Sequence, residues 1–166
     1  MMNLSIVIPV YNSSKILDKL ITEINFNLSS RFEKNYEIIL INDFSKDDSW
    51  DVIKKISEKF NFIKGINLTY NVGQHGAIFI GLKHSSGNKI IIMDDDLQHP
   101  PQSLISIYEQ LDFYDACYTL YTKRKHVYWK IFVSKVNNFF SSFIFDKPFK
   151  IYTSSMKGIR GDIKDK

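Results

Sequence analysis

Residues 89–101 read KIIIMDDDLQHPP, and the fold turns on this stretch. Ile90, Ile91, Ile92 and Met93 form a short unbroken apolar run, the pattern of a strand buried on both faces of a parallel sheet. The run ends abruptly in three carboxylates, Asp94, Asp95 and Asp96, followed by Leu97, Gln98 and a Pro100-Pro101 stop. Open parallel sheets place ligand chemistry at the carboxyl ends of their strands. Carboxylates crowded there repel one another unless a cation lies between them, and oxygen-only ligands suit Mg²⁺ or Mn²⁺. A plainer reading of the triplet is an acidic loop capping a helix that begins near Ser103.

Upstream of this stretch, strands and helices alternate. Leu4–Val10 reads as a first strand, with Pro9 near its end where no ladder donor is needed. In the turn Tyr11-Asn12-Ser13-Ser14 a serine is predicted to cap a helix whose apolar face runs through Ile16, Leu17, Leu20, Ile21 and Ile24. Tyr36–Ile41 is a second strand, ending in Asn42-Asp43; a turn at residues 44–49 leads to a helix carrying Trp50, Val52, Ile53, Ile56 and Phe60 on one side. Phe62–Leu68 reads as a third strand. The small-residue loop Asn71–Gly76 then opens a short helix through Ile78, Ile80, Gly81 and Leu82, with Gly87 expected just past its end. Downstream, Leu104, Ile105, Tyr108 and Leu111 mark another helix, and Ala116–Tyr121 a fifth strand. This rhythm predicts an α/β fold with a doubly wound, mostly parallel sheet and right-handed crossovers.

Composition sets the class. The 166 residues, 44% hydrophobic and 24% charged, suit one globular domain. No apolar run reaches the ~20 residues of a membrane-spanning helix, and the chain enters its first strand without a leader pattern. A lone cysteine, Cys117, excludes an internal disulfide and a cysteine zinc site. These features predict a cytoplasmic protein. The net charge of +4 is uneven: from Lys123 onward eleven Lys/Arg face three Asp/Glu, so the preceding part carries −4. The basic segment predicts an anionic partner. Its aromatic run from Val127 to Phe145, with Lys130 and Lys135, reads either as packing on the sheet or as an amphipathic helix at a membrane interface.

The strand ends at Pro9-Val10-Tyr11-Asn12, Asn42-Asp43 and Asp94–Asp96 are expected to converge on one crevice. One acid there accepts from a base or ribose, and others hold a metal against a diphosphate, which describes a nucleotide-diphosphate site. The sequence has no G-x-x-x-x-G-K-[ST] loop and no G-x-G-x-x-G after its first strand, excluding P-loop and dinucleotide-binding readings. A receiver domain would carry its acid pair after strand one, where this chain has Tyr11-Asn12. No nucleic-acid-binding motif is present.

Four stretches in order, LSIVIPVYN (4–12), EIILINDFSKDDS (37–49), NVGQHGAIFIGL (71–82) and IIIMDDDLQHPP (90–101), resemble the motifs of family 2 glycosyltransferases of the GT-A fold. The branch most resembled transfers sugars to polyprenyl phosphates. The resemblance implies a nucleotide-sugar-binding core over residues 1–122 and a basic, aromatic acceptor- or membrane-side segment over 123–166 of the same domain. It implies inverting transfer from a UDP- or GDP-linked sugar to a polyprenyl phosphate or glycan precursor, with Mg²⁺ or Mn²⁺, and peripheral contact with the inner face of the cytoplasmic membrane. By position, Pro9, Tyr11, Asn12 and Asp43 then serve the nucleoside, and Gln74 and Gly76 the loop over the donor. Asp94 and Asp96 are the outer acids of the DXD motif, holding metal and diphosphate, with Asp95 between them on the donor side and Gln98 assisting the metal. Lys123, Arg124 and Lys125 meet the acceptor phosphate. Three positions depart from the pattern: Asn42 replaces a first Asp, Phe44 a usual Gly, and Ser13 a frequent Glu. Later acceptor-side helices and membrane spans do not follow within these residues, so the competing expectation is a donor-binding or membrane-associating module without turnover.

Overall fold

The computed structural model describes residues 2–33, 35–98, 102–120 and 153–164. Residues Met1–Tyr118 and Ser155–Lys166 form one compact unit and Thr119–Ser154 a second, and nearly all described elements belong to the first. The apolar runs become strands. β1 (Leu4–Val10), β2 (Tyr36–Asn42), β3 (Ile63–Asn67) and β4 (Lys89–Ile92) pair in parallel, with β1 between β2 and β4. β6 (Thr153–Arg160) runs antiparallel beside β4, and β5 (Ala116–Leu120) lies beyond it, completing the order β3-β2-β1-β4-β6-β5.

Every residue of β1, β2 and β4 is buried, because helices cover both faces of the sheet. Alternate side chains divide between the two faces. On one, Leu4, Ile6, Ile8, Ile38 and Leu40 meet α1 (Leu17–Phe32), α2 (Ser49–Lys59) and α4 (Gln102–Gln110) through Leu20, Ile24, Ile53 and Leu104. On the other, Val7, Ile39, Ile41, Ile90 and Ile92 pack against Ala77, Ile78 and Leu82 of α3 (Gly73–His84). Gly81 lets α3 lie close on this face: a Cβ there would meet Val7 and sit 2.7 Å from Ile41 Cδ1.

The order also positions the site. From β1 the chain winds outward through β2 to β3, then crosses over α3 to β4 on the far side of β1. The winding direction therefore reverses between β1 and β4, and such a switch point opens a crevice at the carboxyl ends of the strands.

The expected α/β architecture holds, with local corrections. No serine caps α1: Ile16 occupies the N-cap without a side-chain bond, its N–H donating to the Ser13 carbonyl at 3.0 Å. The Ser13 hydroxyl is engaged elsewhere. Gly87 does not end α3, which stops at His84 with Ser85 in an extended conformation. Gly87 instead lies against β1, its N–H 2.8 Å from Ser5 Oγ. The C-terminal aromatic segment 127–145 and Lys123, Arg124 and Lys125 lie outside the described residues. β6 is an element that the local pattern of residues 153–160 does not announce.

Candidate active site

At the switch point lies a cavity of about 460 Å³. The end of β1 contributes Pro9, Val10 and Tyr11, and the end of β2 contributes Asp43. The start of α3 adds Asn71, Gly73 and Gln74, and the end of β4 adds Asp94, Asp95 and Asp96. The three strand ends singled out in the sequence thus meet on one cavity.

Tight loops bring them there. Asn12, Phe44 and Leu97, each just beyond a strand end, hold left-handed backbone angles of 56°, 56° and 57°. This region costs non-glycine residues energy and is held only where surrounding bonds over-determine it. Those bonds are visible. Asn12 N–H donates to Ser45 Oγ (3.0 Å), and Asn12 Oδ1 accepts from Lys46 N–H (2.8 Å). Asp47 accepts from the Ser14 and Ser49 N–H groups, both at 3.0 Å, and from the Ser49 hydroxyl. Ser49 Oγ in turn accepts from Ser13 N–H at 2.9 Å. Desolvation opposes the Asp47 charge, but the hydrogen bonds from Ser49 and Ser14 outweigh it and lower its pKa to about 2. Loops after β1 and β2 are stitched into one rigid floor.

The four acids of the cavity differ in what they have left to offer. Asp43 is 3% exposed. Its Oδ1 accepts from Val72 N–H at 2.7 Å and its carbonyl from Asn71 Nδ2 at 3.0 Å, fixing the loop that opens α3. Asp94 Oδ1 accepts from Gln74 Nε2 at 2.6 Å, tying the acidic loop to α3. Asp96 is exposed, and its Oδ1 accepts from Gln98 N–H at 3.0 Å. In these three, Oδ2 makes no hydrogen bond among the described residues. Asp95 differs: its Oδ2 accepts from the Ser13 hydroxyl at 2.5 Å and from Tyr11 N–H at 3.3 Å. Burial raises the Asp95 pKa, and the neighbouring Asp94 charge adds to this, against the lowering effect of the Ser13 and Tyr11 bonds. Asp95 braces the β1 loop against the β4 loop.

Of the residues expected at the site, Pro9, Tyr11, Asp43, Gln74, Asp94, Asp95 and Asp96 line the cavity. Asn12, Gly76 and Gln98 are not among its lining residues. Asn12 serves the loop network. At Gly76 a Cβ would lie 2.8 Å from Val72 Cγ2, so glycine there permits close packing. Gln98 meets Asp96 through its backbone, with its side chain exposed. Asn71 and Gly73 line the cavity unforeseen, although Asn71 follows the end of β3 and obeys the same strand-end rule. In the sequence Ser13 stood out only as a candidate helix cap and as a missing Glu. Its carboxylate partner lies 82 positions away in sequence, beyond any local pattern.

Among the described residues no three His, Cys, Asp or Glu form an all-protein metal cage. Mg²⁺ and ions like it are held by one or two carboxylates, with phosphate oxygens and water completing the shell. The open Oδ2 atoms of Asp94 and Asp96 fit that arrangement.

Comparison with known proteins identifies the family and the fold. The chain is 35% identical over 139 residues to an undecaprenyl-phosphate 4-deoxy-4-formamido-L-arabinose transferase of Pseudomonas syringae pv. syringae (strain B728a), covering 81% of this chain and 40% of that protein. It is 35% identical over 136 residues to the protein of the same name from Shewanella sediminis (strain HAW-EB3), covering 81% and 41%. The chain therefore spans about two-fifths of the length of these relatives. Among solved structures, glucosyl-3-phosphoglycerate synthase from Mycobacterium tuberculosis, in complex with Mn²⁺, UDP and phosphoglyceric acid, aligns with a TM-score of 0.72 at 14% identity, covering 96% of this chain and 56% of that one. A mannosyltransferase from Pyrobaculum calidifontis in complex with GDP-Man and Mn²⁺ aligns with a TM-score of 0.67 at 15% identity, covering 95% and 44%. These structural likenesses establish the GT-A fold. The sequence profile of Glycosyl transferase family 2 matches residues 5–165, and with the ordered motifs and the acid-lined switch point it places the chain in that family.

Proposed function

We propose that this chain carries the donor site of an inverting glycosyltransferase that moves a sugar from a UDP- or GDP-linked donor to a polyprenyl phosphate. The observation that carries the reading is the convergence of Asp43, Asp94 and Asp96 on one cavity at the switch point, each with a carboxylate oxygen uncommitted among the described residues. Asp43 accepts from the base or ribose, and Pro9 and Tyr11 flank the nucleoside. Gln74 orients Asp94 through their 2.6 Å bond. Mg²⁺ or Mn²⁺ held by Asp94 and Asp96 would supply charge neutralisation at the departing diphosphate. An acceptor phosphate is already an anion, so it needs positioning and charge balance more than a strong base. We assign that task to Lys123, Arg124 and Lys125. The acceptor class rests on the names of the relatives. On this reading the chain works in peripheral contact with the inner face of the cytoplasmic membrane; no helix among the described residues is long and apolar enough to cross one.

A thermal-shift screen of UDP- and GDP-sugars, with and without Mn²⁺, tests the site. A donor held by the native state at a hundred times its Kd stabilises it by about 2.7 kcal/mol. The expected result is a metal-dependent rise in Tm that Asp96→Ala removes; a screen in which no donor raises Tm overturns the reading. Labelled-donor transfer then separates a transferase from a donor-binding module without turnover.

A further inference from the structure

Beside the acidic loop lies a basic residue that none of the motifs includes. β6 pairs with β4 in antiparallel register, and Lys157 stands directly opposite Ile92, two residues before Asp94. The face on which Lys157 lies follows from its neighbours. Met156 joins the core on the α4 face, and a Cβ on Gly158 would meet Ile107 of α4, so these two positions face α4. Side chains alternate along a strand, which puts Lys157 and Ile159 on the opposite face; Ile159 does pack with Ile90, Ile92 and α3. Asp94 belongs to this same α3 face, since Gln74 of α3 bonds its carboxylate. Lys157 thus shares its face with Asp94 and stands opposite the last residue of β4, two positions before Asp94. A long side chain on such a pair extends about 7–8 Å to diagonal positions, which directs Lys157 toward the end of β4 where the acids begin.

Charge gives the placement a purpose. Four carboxylates line the cavity, and no Lys or Arg is among its described lining residues. A divalent cation and a nucleotide-sugar diphosphate roughly cancel one another, so the acids remain in excess and a fixed cation nearby is required as the leaving group gathers charge. Lys157 is half-buried, and its ammonium forms no hydrogen bond or ion pair among the described residues. The buried lysine of the neighbouring strand, Lys89, is already held by Asp112 at 2.6 Å at the opposite end of β4. A half-buried lysine without a partner among the described residues carries a desolvation cost, and an arriving phosphate anion offsets it.

We propose that Lys157 is the donor-diphosphate cation of this site, contacting the phosphate of the leaving nucleoside diphosphate from the β6 side. The proposal rests on the donor-site reading above. The full chain, as wild type, Lys157→Met and Lys157→Arg, is titrated with UDP, GDP, UMP, GMP, uridine and guanosine in the presence of Mn²⁺. The expected result is that Lys157→Met weakens the preferred diphosphate at least tenfold, leaves the matching nucleoside within twofold, and is rescued to within threefold by Arg. That diphosphate-specific pattern is one that a merely structural role would not produce. Equal changes for diphosphate and nucleoside overturn the proposal. Unchanged diphosphate affinity with a raised KM for a polyprenyl phosphate also overturns it, by moving the cation to the acceptor. A wild type that binds no nucleotide overturns the donor-site reading and this proposal together, whereas binding that Lys157→Met leaves intact overturns this proposal alone. Lys157→Gln is titrated in parallel so that the result stands if the Met variant does not fold.

Discussion

The two ends of the sheet handle acidic side chains in opposite ways. Near the amino ends of the strands, Glu37 of β2 is 1% exposed. Its Oε1 accepts from the Ser5 hydroxyl (2.6 Å) and from the Ser86 N–H and hydroxyl (both 2.7 Å). Its Oε2 receives no directed hydrogen bond and is neutralised by Lys64 Nζ at 2.6 Å. Burial opposes the charge, but these partners win and its pKa falls below the usual carboxylate range. At the carboxyl ends, Asp43, Asp94 and Asp96 each keep an oxygen uncommitted among the described residues, and no cation lines their cavity there. An acid that serves the fold is satisfied within the fold, because an unpaired buried charge is costly. Acids left open around a cavity indicate that the compensating charge comes from a ligand.

This contrast can be broken from either side. The largest effect is expected at the open end: Asp94→Ala or Asp96→Ala should lower metal-dependent donor turnover by about a hundredfold or more, the loss of a few kcal/mol of charge stabilisation. Melting temperature should stay near wild type, because these side chains form no ion pair among the described residues. Equal losses of stability and activity would erase the distinction. At the closed end the pattern should invert. Glu37→Ala strands the Ser5 and Ser86 donors and the Lys64 charge, so urea unfolding should show a loss of about 2 kcal/mol with donor affinity unchanged.

Smaller effects probe the loops that carry the open end. Phe44 holds φ +56° at a half-exposed position, and glycine adopts that angle without strain. Phe44→Gly should therefore stabilise the protein, by about 0.5–1 kcal/mol at most after the lost ring contacts and the freer unfolded chain are counted. Calorimetry showing a lower Tm would mean that the ring contributes more than the angle costs. The smallest effect is a pH dependence. The folded-state pKa of Asp47 is about 2, below its ordinary 3.8, so its contribution is present above about pH 4 and is lost as pH falls toward 2. The group is exposed, which keeps the contribution small. Unfolding measured between pH 5 and 2 should be less steep in Asp47→Asn than in wild type.

How legible each part was depends on how local its cause is. β1, β2 and β4 appear where unbroken Ile, Val and Leu runs lie, because strands covered on both faces admit little else. The acids at their ends were legible as a set, since strand ends in such a sheet share one edge. The serine cap expected for α1 was not borne out: Ile16 holds the N-cap, and the Ser13 hydroxyl meets Asp95 of the β4 loop instead. Gly87 was misplaced for a similar reason: its requirement is for room beside Ser5 of β1, which the pattern around α3 does not reveal.

The amino-acid sequence by itself determined the α/β alternation, the family and the strand ends on which the acids sit. These follow from periodicity and motif order, which are local properties of the chain. Tertiary structure alone decided which acid oxygens stay open, that Asp95 braces the Tyr11 loop, and that β6 enters beside β4 with Lys157 opposite Ile92. The last two depend on pairings between residues more than sixty positions apart, which folding geometry selects and local patterns do not encode.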